Sequence, residues 1–337
     1  AGTLDAEGLR AVEDDCIREV VKSQEALGLA AVTDGEFRRA WWHFDFLAGL
    51  RGVRLVQGAH GIQFHGVATK AETLEIHDRV GFDGHPMLAH FRFLAGIATA
   101  TPKMTIPAPS VLHFRGGRAA ISRAVYPDLE RFFEDTAEAW RQVVHAFYAA
   151  GCRYLQFDDT VWAYLCSQKE RDAARARGDD PAPLPRIYAE MINHALADKP
   201  ADLTVTTHVC RGNFRSSWIA EGGYEPVAEI LLAQTRYDGY FLEYDSERAG
   251  GFEPLRFLPR GDKRVVLGLV TSKFAELESV DMLEGRIAEA ARHAPLDQLC
   301  LSPQCGFAST EEGNLVDEDV QWAKLARVIE VARRRWP

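Results

Sequence analysis

The feature that most constrains the fold is a repeated alternation of amphipathic helical segments with short runs of apolar, β-branched or aromatic residues. A helix followed by such a run is the pattern of a βα unit in a parallel sheet. The clearest repeat starts at Pro127, which suits the beginning of a helix, and continues through Gly151 into the strand-like segment CRYLQFDD. The alternation therefore predicts an α/β fold with a parallel sheet.

Seven segments have the pattern of strands. The first is LAAVTD, which follows Gly28, and the others begin near residues 103, 153, 203, 239, 264 and 299. A (β/α)8 TIM barrel needs eight strands, and barrels of 250 to over 400 residues are common, so one barrel accommodates all 337 residues. Because the chain opens with a helical pattern over residues 5–27, we expect the first strand to precede Ala1, outside this numbering.

Two stretches interrupt the alternation. Glu36 and Lys103 are separated by 66 residues, far more than an ordinary βα connection, and GIQFHGVAT and TLEIHDRVGF alternate like a hairpin. We therefore predict a hairpin-like insertion at residues 50–100 and over the barrel mouth. It follows LAAVTD, which is the second barrel strand when the strand expected before Ala1 is counted. Residues 167–185 are charged and rich in proline, which indicates a helix end followed by a solvated excursion.

The charge and the apolar pattern exclude several function classes. A formal net charge of −10 argues against a nucleic-acid partner, which usually requires a basic surface. No apolar run approaches the roughly 20 residues of a membrane span, and the first residues do not have the pattern of a secretory signal. We therefore expect a cytoplasmic protein that binds small molecules and no membrane. The sequence does not predict an oligomeric state.

Four metal-binding side chains fall at predicted strand ends. His208 and Cys210 are two residues apart, so both side chains project from the same side of their strand. Glu243 ends the next strand and Cys305 follows the last one. The carboxyl ends of barrel strands converge on one mouth, where the active sites of this fold lie. The pattern therefore predicts that these four residues meet.

Two thiolates, an imidazole and a carboxylate form a ligand set that suits tetrahedral Zn²⁺ better than iron or copper. Formal charges leave such a site at about −1, which makes it a poor electrophile but a good holder of a nucleophilic thiolate. Coordination lowers the pKa of a thiol from about 8.5, so that the thiolate forms at neutral pH. We therefore predict a zinc-dependent enzyme that activates a thiol substrate for alkylation.

Other chemically interesting residues have competing interpretations. Asp158 and Asp159 suit either a paired acid and base or a helix cap beside a ligand contact, and we favour the second interpretation. Trp41 and Trp42 suit either stacking on a flat methyl donor or packing of the mouth. His43 and His65 are candidates for a proton shuttle. The cysteines outside the predicted site are expected to serve in packing, namely Cys16, Cys152, Cys166 and Cys300.

Several segments resemble those of one enzyme family. THVC, FLEYDSERAG and SPQCGFAS, in this order, resemble the zinc signatures in the catalytic C-terminal barrel of cobalamin-independent methionine synthase. TDGEFRRAWWHFDF and YLQFDD resemble two further segments of that barrel, so the resemblance covers most of the chain. Because the sequence contains no duplicated barrel, it resembles the short, single-barrel branch of the family.

The resemblance implies a zinc-dependent S-methyltransferase of methionine biosynthesis, which transfers a methyl group from 5-methyltetrahydrofolate or another donor to homocysteine. It implies Zn²⁺ on His208, Cys210, Glu243 and Cys305. It also implies that Glu36 and Asp158 bind the homocysteine amino group, for which carboxylates are suitable partners. Glu36 also suits a simple ion pair with Arg38 or Arg39, and we favour the substrate contact.

The sequence also departs from the family pattern. Gln304 stands where the family has the aspartate of its Asp-Cys-Gly motif, and no histidine follows closely to donate a proton, so no catalytic residue beyond the ligands is assigned.

Two alternatives remain open. One is another zinc-dependent thiol alkyltransferase, resembling epoxyalkane:coenzyme M transferase, whose sulfonate substrate would need a basic pocket. Residues that could supply such a pocket are Arg38, Arg39, Arg211 and Arg215. The other alternative is a metal-free barrel resembling uroporphyrinogen decarboxylase.

Overall fold

A computed structural model describes residues 4–58, 61, 63–69 and 71–336 of the chain. Its strands are β1 (Ala31–Val32), β2 (Arg51–Gln57), β3 (Gln63–Phe64), β4 (Val67–Ala68), β5 (Glu72–Gly81), β6 (Thr101–Pro107), β7 (Tyr154–Asp158), β8 (Thr204–Val209), β9 (Gly239–Glu243), β10 (Arg264–Val270) and β11 (Leu299–Pro303). Seven of them form one sheet in the order β1-β6-β7-β8-β9-β10-β11, and every pairing in this sheet is parallel. The predicted α/β barrel class is thus confirmed, with chain order and spatial order identical along the sheet.

Helices lie between these strands and flank the sheet. They are α1 (Ala6–Leu27), α2 (Phe44–Leu47), α3 (Met87–Ile97), α4 (Pro109–Phe114), α5 (Glu130–Ala149), α6 (Val161–Cys166), α7 (Gln168–Ala176), α8 (Leu184–Ala195), α9 (Val280–Ala290) and α10 (Glu318–Arg335). The Asp5 side chain caps α1, and Gly28 ends it with a φ of 95°, a conformation that glycine adopts without steric cost. None of the helices in the described part of the chain is both long and apolar enough to span a membrane.

Two helical segments differ from the sequence-based expectation. The charged run at 167–185 contains α7, which buries only Ala174 and is supported by an Asp172–Arg175 ion pair three residues apart. Between β8 and β9, the apolar pattern of residues 224–236 predicts an α-helix, but the structure has a π-helix at Glu229–Gln234. The Thr235 hydroxyl donates a hydrogen bond to the Leu231 carbonyl at this end, 2.6 Å away.

The segment after β1 forms the expected hairpin-like extension. β2 and β5 pair in an antiparallel arrangement, and β3 and β4 form a second, smaller antiparallel pair. The His65 amide donates to the Trp218 carbonyl at 2.8 Å, and the rings of these residues stack with centroids 4.8 Å apart. The extension therefore contacts the loop that follows β8. Residues 59, 60, 62 and 70 of the predicted insertion lie outside the described residues.

Side chains inside the sheet and under the flanking helices form a continuous apolar core. Trp140 of α5 is fully buried and donates its indole N–H to the Pro107 carbonyl at the end of β6, 3.0 Å away. Such contacts fix the carboxyl ends of the strands relative to the helices. The side chains at these ends therefore project from a rigid frame.

Candidate metal centre

The structure brings the four predicted metal ligands together at the carboxyl ends of three strands. His208 lies near the end of β8 and Cys210 just beyond it, Glu243 is the last residue of β9, and Cys305 follows β11. One ligand atom from each residue lies within 4.8 Å of those of the other three. The two Sγ atoms are 3.6 Å apart, and His208 Nε2 lies 3.2 Å from Glu243 Oε1.

These spacings fit tetrahedral zinc. Bond lengths of about 2.3 Å to sulfur and about 2.0–2.2 Å to nitrogen and oxygen place two sulfurs about 3.8 Å apart, and a nitrogen and an oxygen about 3.4 Å apart. The side chains are also positioned to favour a cation. Glu243 is fully buried, and a buried carboxylate is costly without a positive partner. The residues present therefore fit the group in both distance and charge.

Burial and neighbouring side chains shift the pKa values of the ligands in the cluster. Burial opposes ionisation of Glu243, but hydrogen bonding to His208 and the charge of Lys273 lower its pKa to about 2. The hydrogen bond with Cys210 lowers the pKa of Cys305 to about 7, whereas the same contact and burial raise that of Cys210 well above its usual range. Zinc binding would require neutral histidine and two thiolates, so it would release protons from this cluster.

A second layer of polar side chains surrounds the four residues. Gln304 Nε2 donates to Glu243 Oε2 at 2.8 Å. Asp158 Oδ1 lies 3.6 Å from His208 Nδ1 and accepts a hydrogen bond from Gln156 Nε2 at 2.7 Å. Burial opposes the charged form of His208, but its contacts with Asp158 and Glu243 raise its pKa well above the usual range. This layer orients the imidazole and the carboxylate.

A buried lysine also lies near the cysteines. Lys273 is 2% exposed, and its Nζ donates to the Gly212 carbonyl at 3.0 Å, while the Gly212 amide donates to Cys210 Sγ at 3.3 Å. No motif or spacing in the sequence pointed to Lys273 or to the role of Gln304. The only available signal for Gln304 was its position directly before Cys305.

Glu36, a predicted substrate contact, follows β1 in a left-handed backbone conformation with a φ of 58°. Its Oε1 accepts a hydrogen bond from the Thr105 hydroxyl at 2.8 Å and lies 3.3 Å from Arg39 Nη1. Desolvation raises the pKa of Glu36, Arg39 opposes the shift, and the charge of Asp158 adds to it. The two predicted substrate carboxylates are therefore close enough to interact, and the strained backbone fixes one of them.

Asp159 makes different contacts from those of Asp158. Its Oδ1 accepts a hydrogen bond from the Val161 amide at 3.0 Å, and its Oδ2 accepts one from the Ser110 hydroxyl at 2.8 Å. The side chain is completely buried. Asp159 thus anchors the start of α6, while Asp158 faces His208, which agrees with the favoured interpretation of two separate roles.

Aromatic residues pack around the mouth. Trp41 is 5% exposed and stacks on Phe214, which follows Cys210, with ring centroids 6.0 Å apart. His43 is fully buried against Phe44, with centroids 4.0 Å apart, and burial lowers its pKa well below the usual range. His65 is exposed and stacks on Trp218, in the insertion rather than beside the ligands.

Three of the four arginines suggested for a sulfonate pocket already have other partners, and one of these is Arg39, which pairs with Glu36. Arg38 forms ion pairs with Glu13 and Asp14 of α1. Arg211 is fully buried, donates to the Gly222 carbonyl at 2.7 Å and lies over the Tyr224 ring.

The buried Asp159 leads to a stability prediction. Burial raises its pKa from 3.8 to about 6, so the stabilisation from its bound proton is present below pH 4 and is lost as the pH rises through 6. We expect Asp159→Asn, which cannot gain this proton, to destabilise the zinc-free protein by about 1–2 kcal/mol more at pH 5 than at pH 7.5. Urea unfolding of both proteins in EDTA would measure this, and equal differences at the two pH values would contradict it.

Comparison with known proteins places this site in a family context. The sequence profile of the family described as "Cobalamin-independent synthase, Catalytic domain" matches residues 1–333. Two proteins of Bacillus subtilis (strain 168), named uncharacterized proteins YxjH and YxjG, are each 53% identical over the whole chain and are covered to 89% of their own length.

Solved structures give the same result. A Listeria monocytogenes protein provisionally assigned as a vitamin-B12-independent methionine synthase is 40% identical, with a TM-score of 0.79, over 100% of this chain and 91% of its own. A B12-independent methionine synthase from Shewanella sp. W3-18-1, solved with selenomethionine, shares the fold at 19% identity, with a TM-score of 0.72, over 98% of this chain and 89% of its own.

Proposed function

The chain belongs to the family of cobalamin-independent methionine synthase catalytic domains, and from this premise we propose that it is a zinc-dependent thiol methyltransferase. It transfers a methyl group from 5-methyltetrahydrofolate, or another methyl donor, to the sulfur of homocysteine and forms methionine. The observation that carries the proposal is the convergence of His208, Cys210, Glu243 and Cys305 on one point, with ligand atoms within 4.8 Å of one another.

These four side chains would hold Zn²⁺. When bound, zinc would lower the pKa of a substrate thiol, so that the sulfur reacts as a thiolate at neutral pH. The sulfur then forms a bond to the methyl carbon while the bond between that carbon and the donor breaks. The thiol loses one proton and the departing donor takes one up, so the reaction is balanced.

Glu36 and Asp158 bind the ammonium group of homocysteine in this proposal. Asp158 lies beside the metal cluster, 3.6 Å from His208 Nδ1, and its negative charge raises the pKa of Glu36. An ammonium group between them would relieve this repulsion and donate a charge-assisted hydrogen bond to each carboxylate. Arg39, which already pairs with Glu36, holds that carboxylate in place before the substrate binds.

The contacts favour homocysteine over the two alternatives. A sulfonate thiol would need free cationic groups at the mouth, but Arg38 and Arg211 have other partners. In a metal-free barrel, nothing would explain why two thiols and a fully buried carboxylate converge on one point, since burying a carboxylate without a cation costs stability.

The test combines metal analysis with a substrate comparison. We expect the purified protein to contain about one zinc per chain, which is the ratio of a four-ligand site. We also expect methionine to form from homocysteine and one of several methyl donors, including 5-methyltetrahydrofolate. Zinc with alkylation of coenzyme M alone would support the first alternative, whereas protein that stays inactive and zinc-free after incubation with zinc would exclude this function.

A further inference from the structure

We propose that Gln304 is a positioning residue, whose side-chain amide holds the Glu243 carboxylate so that one oxygen faces the other three ligands. This inference rests on the proposed function, because it concerns how the chain prepares its zinc site. Gln304 is not one of the four ligands, and it stands where the family motif has an aspartate.

The contact itself is short and buried. Gln304 is 3% exposed, and its Nε2 donates to Glu243 Oε2 at 2.8 Å. The other carboxylate oxygen, Oε1, lies 3.2 Å from His208 Nε2. One carboxylate oxygen therefore accepts the hydrogen bond from the Gln304 amide, and the other faces the metal cluster.

The direction of the amide is also determined. The Thr271 hydroxyl, just after β10, donates to Gln304 Oε1 at 3.2 Å. With its oxygen engaged there, the amide presents its nitrogen to Glu243. The Gln304 backbone amide donates to the Val270 carbonyl at 2.7 Å, so both ends of the residue are fixed against β10.

A glycine allows this close approach. Gly268 pairs with Glu243 in the register of β9 and β10, and a Cβ atom at Gly268 would lie 3.2 Å from Gln304 Cα and 3.0 Å from the Leu242 carbonyl oxygen. A larger residue would therefore press on the backbone of Gln304, directly before Cys305, and push it away from β10. The glycine places Gln304 within reach of the carboxylate.

An amide has a property here that an aspartate or glutamate lacks. A second carboxylate would face Glu243 with a like charge in a buried place, unless it took up a proton. Glutamine donates a hydrogen bond while remaining neutral at every pH. The amide thus satisfies Glu243 Oε2 without adding to the negative charge of two thiolates and a carboxylate.

The experiment removes the donor while keeping the length of the side chain. We expect Gln304→Met to raise the zinc dissociation constant, measured by competition with a chromophoric chelator, by about 10- to 100-fold, as is typical for groups that orient metal ligands. The matched control is Gln298→Met. Gln298 is 2% exposed and donates to the Pro259 and Lys263 carbonyls at the opposite end of β11, so its loss should affect stability but not zinc affinity.

Cobalt replacement gives a second readout that a purely structural role would not change. In Gln304→Met loaded with Co²⁺, the thiolate-to-cobalt charge-transfer bands should remain, because both cysteines are intact. The visible d–d bands should change, because the carboxylate is no longer held in place. Either the same spectrum as the wild type or an unchanged zinc affinity would overturn the proposal.

The outcomes separate this inference from the proposed function. If the wild-type protein binds no zinc, the proposed function is wrong. If the wild type binds zinc and Gln304→Met binds it with the same affinity, only the role of Gln304 is wrong. If that variant does not fold, Thr271→Val replaces it. This nearly isosteric change removes the hydroxyl that orients the amide, so it should weaken zinc binding in the same direction by a smaller factor, and unchanged binding would contradict the proposal.

Discussion

Cys305→Ser should lose stoichiometric zinc and, with it, methyl transfer. Loss of one thiolate should weaken binding by about 100- to 1000-fold, which is about 3–4 kcal/mol of the roughly 10–16 kcal/mol with which four-ligand zinc sites bind. The remaining ligands, Cys210, His208 and Glu243, would still lie together, but hydroxyl oxygen is a far poorer zinc ligand than thiolate sulfur. Metal analysis and methionine formation in the same preparation would measure both losses.

The chain provides a matched control for this change. Cys300 lies in β11, pairs in register with Val266 and is also a free cysteine, but it is five residues before Cys305, towards the other end of the strand. We expect Cys300→Ser to keep its zinc and its activity. Full zinc content in Cys305→Ser, or equal losses in both variants, would contradict the proposed ligand set.

Asp158→Asn should reduce the catalytic efficiency with homocysteine, kcat/KM, by about 10- to 100-fold, because a hydrogen bond to a charged group contributes about 1.5–3 kcal/mol. Glu36→Gln should act in the same way. The loss should lie mainly in KM, since the carboxylates bind the amino group and not the sulfur. Steady-state kinetics at saturating methyl donor would separate KM from kcat.

A substrate analogue distinguishes this role from simple damage to the site. 4-Mercaptobutyrate has the thiol and the carboxylate of homocysteine but lacks the amino group, so wild type and Asp158→Asn should use it with similar efficiency. Asp159→Asn is the neighbouring control and should keep the wild-type KM for homocysteine, because Asp159 is engaged with Ser110 and Val161.

Asp158 is also close enough to a metal ligand to act on it, which would give a different experimental result. Its Oδ1 lies only 3.6 Å from His208 Nδ1, so the carboxylate is placed to orient the imidazole as well. If Asp158→Asn loses zinc affinity and treats homocysteine and 4-mercaptobutyrate alike, Asp158 acts through His208 and its proposed contact with the amino group is wrong.

Most of the framework was predictable from the sequence because its signals are local. Helical and strand periodicities identified all seven strands of the parallel sheet, and β7 to β11 begin within a residue of the expected positions. α7 was missed because its sequence is charged and buries only Ala174, so no apolar face distinguished it from a solvated loop. The π-helical turn at Glu229–Gln234 was missed because its apolar pattern is also that of an α-helix.

The sequence by itself determined that four zinc-type side chains stand at strand ends, since parallel barrel strands carry their carboxyl ends to one mouth whatever the details of packing. Only the tertiary structure decided which neighbours those side chains meet. The contact of Gln304 with Glu243 depends on the register of β9 against β10 and on the space above Gly268. The engagement of Arg38 with α1 depends on how a helix packs against the sheet. Local periodicity carries no information about register or packing, because both are set by contacts between segments far apart in the chain.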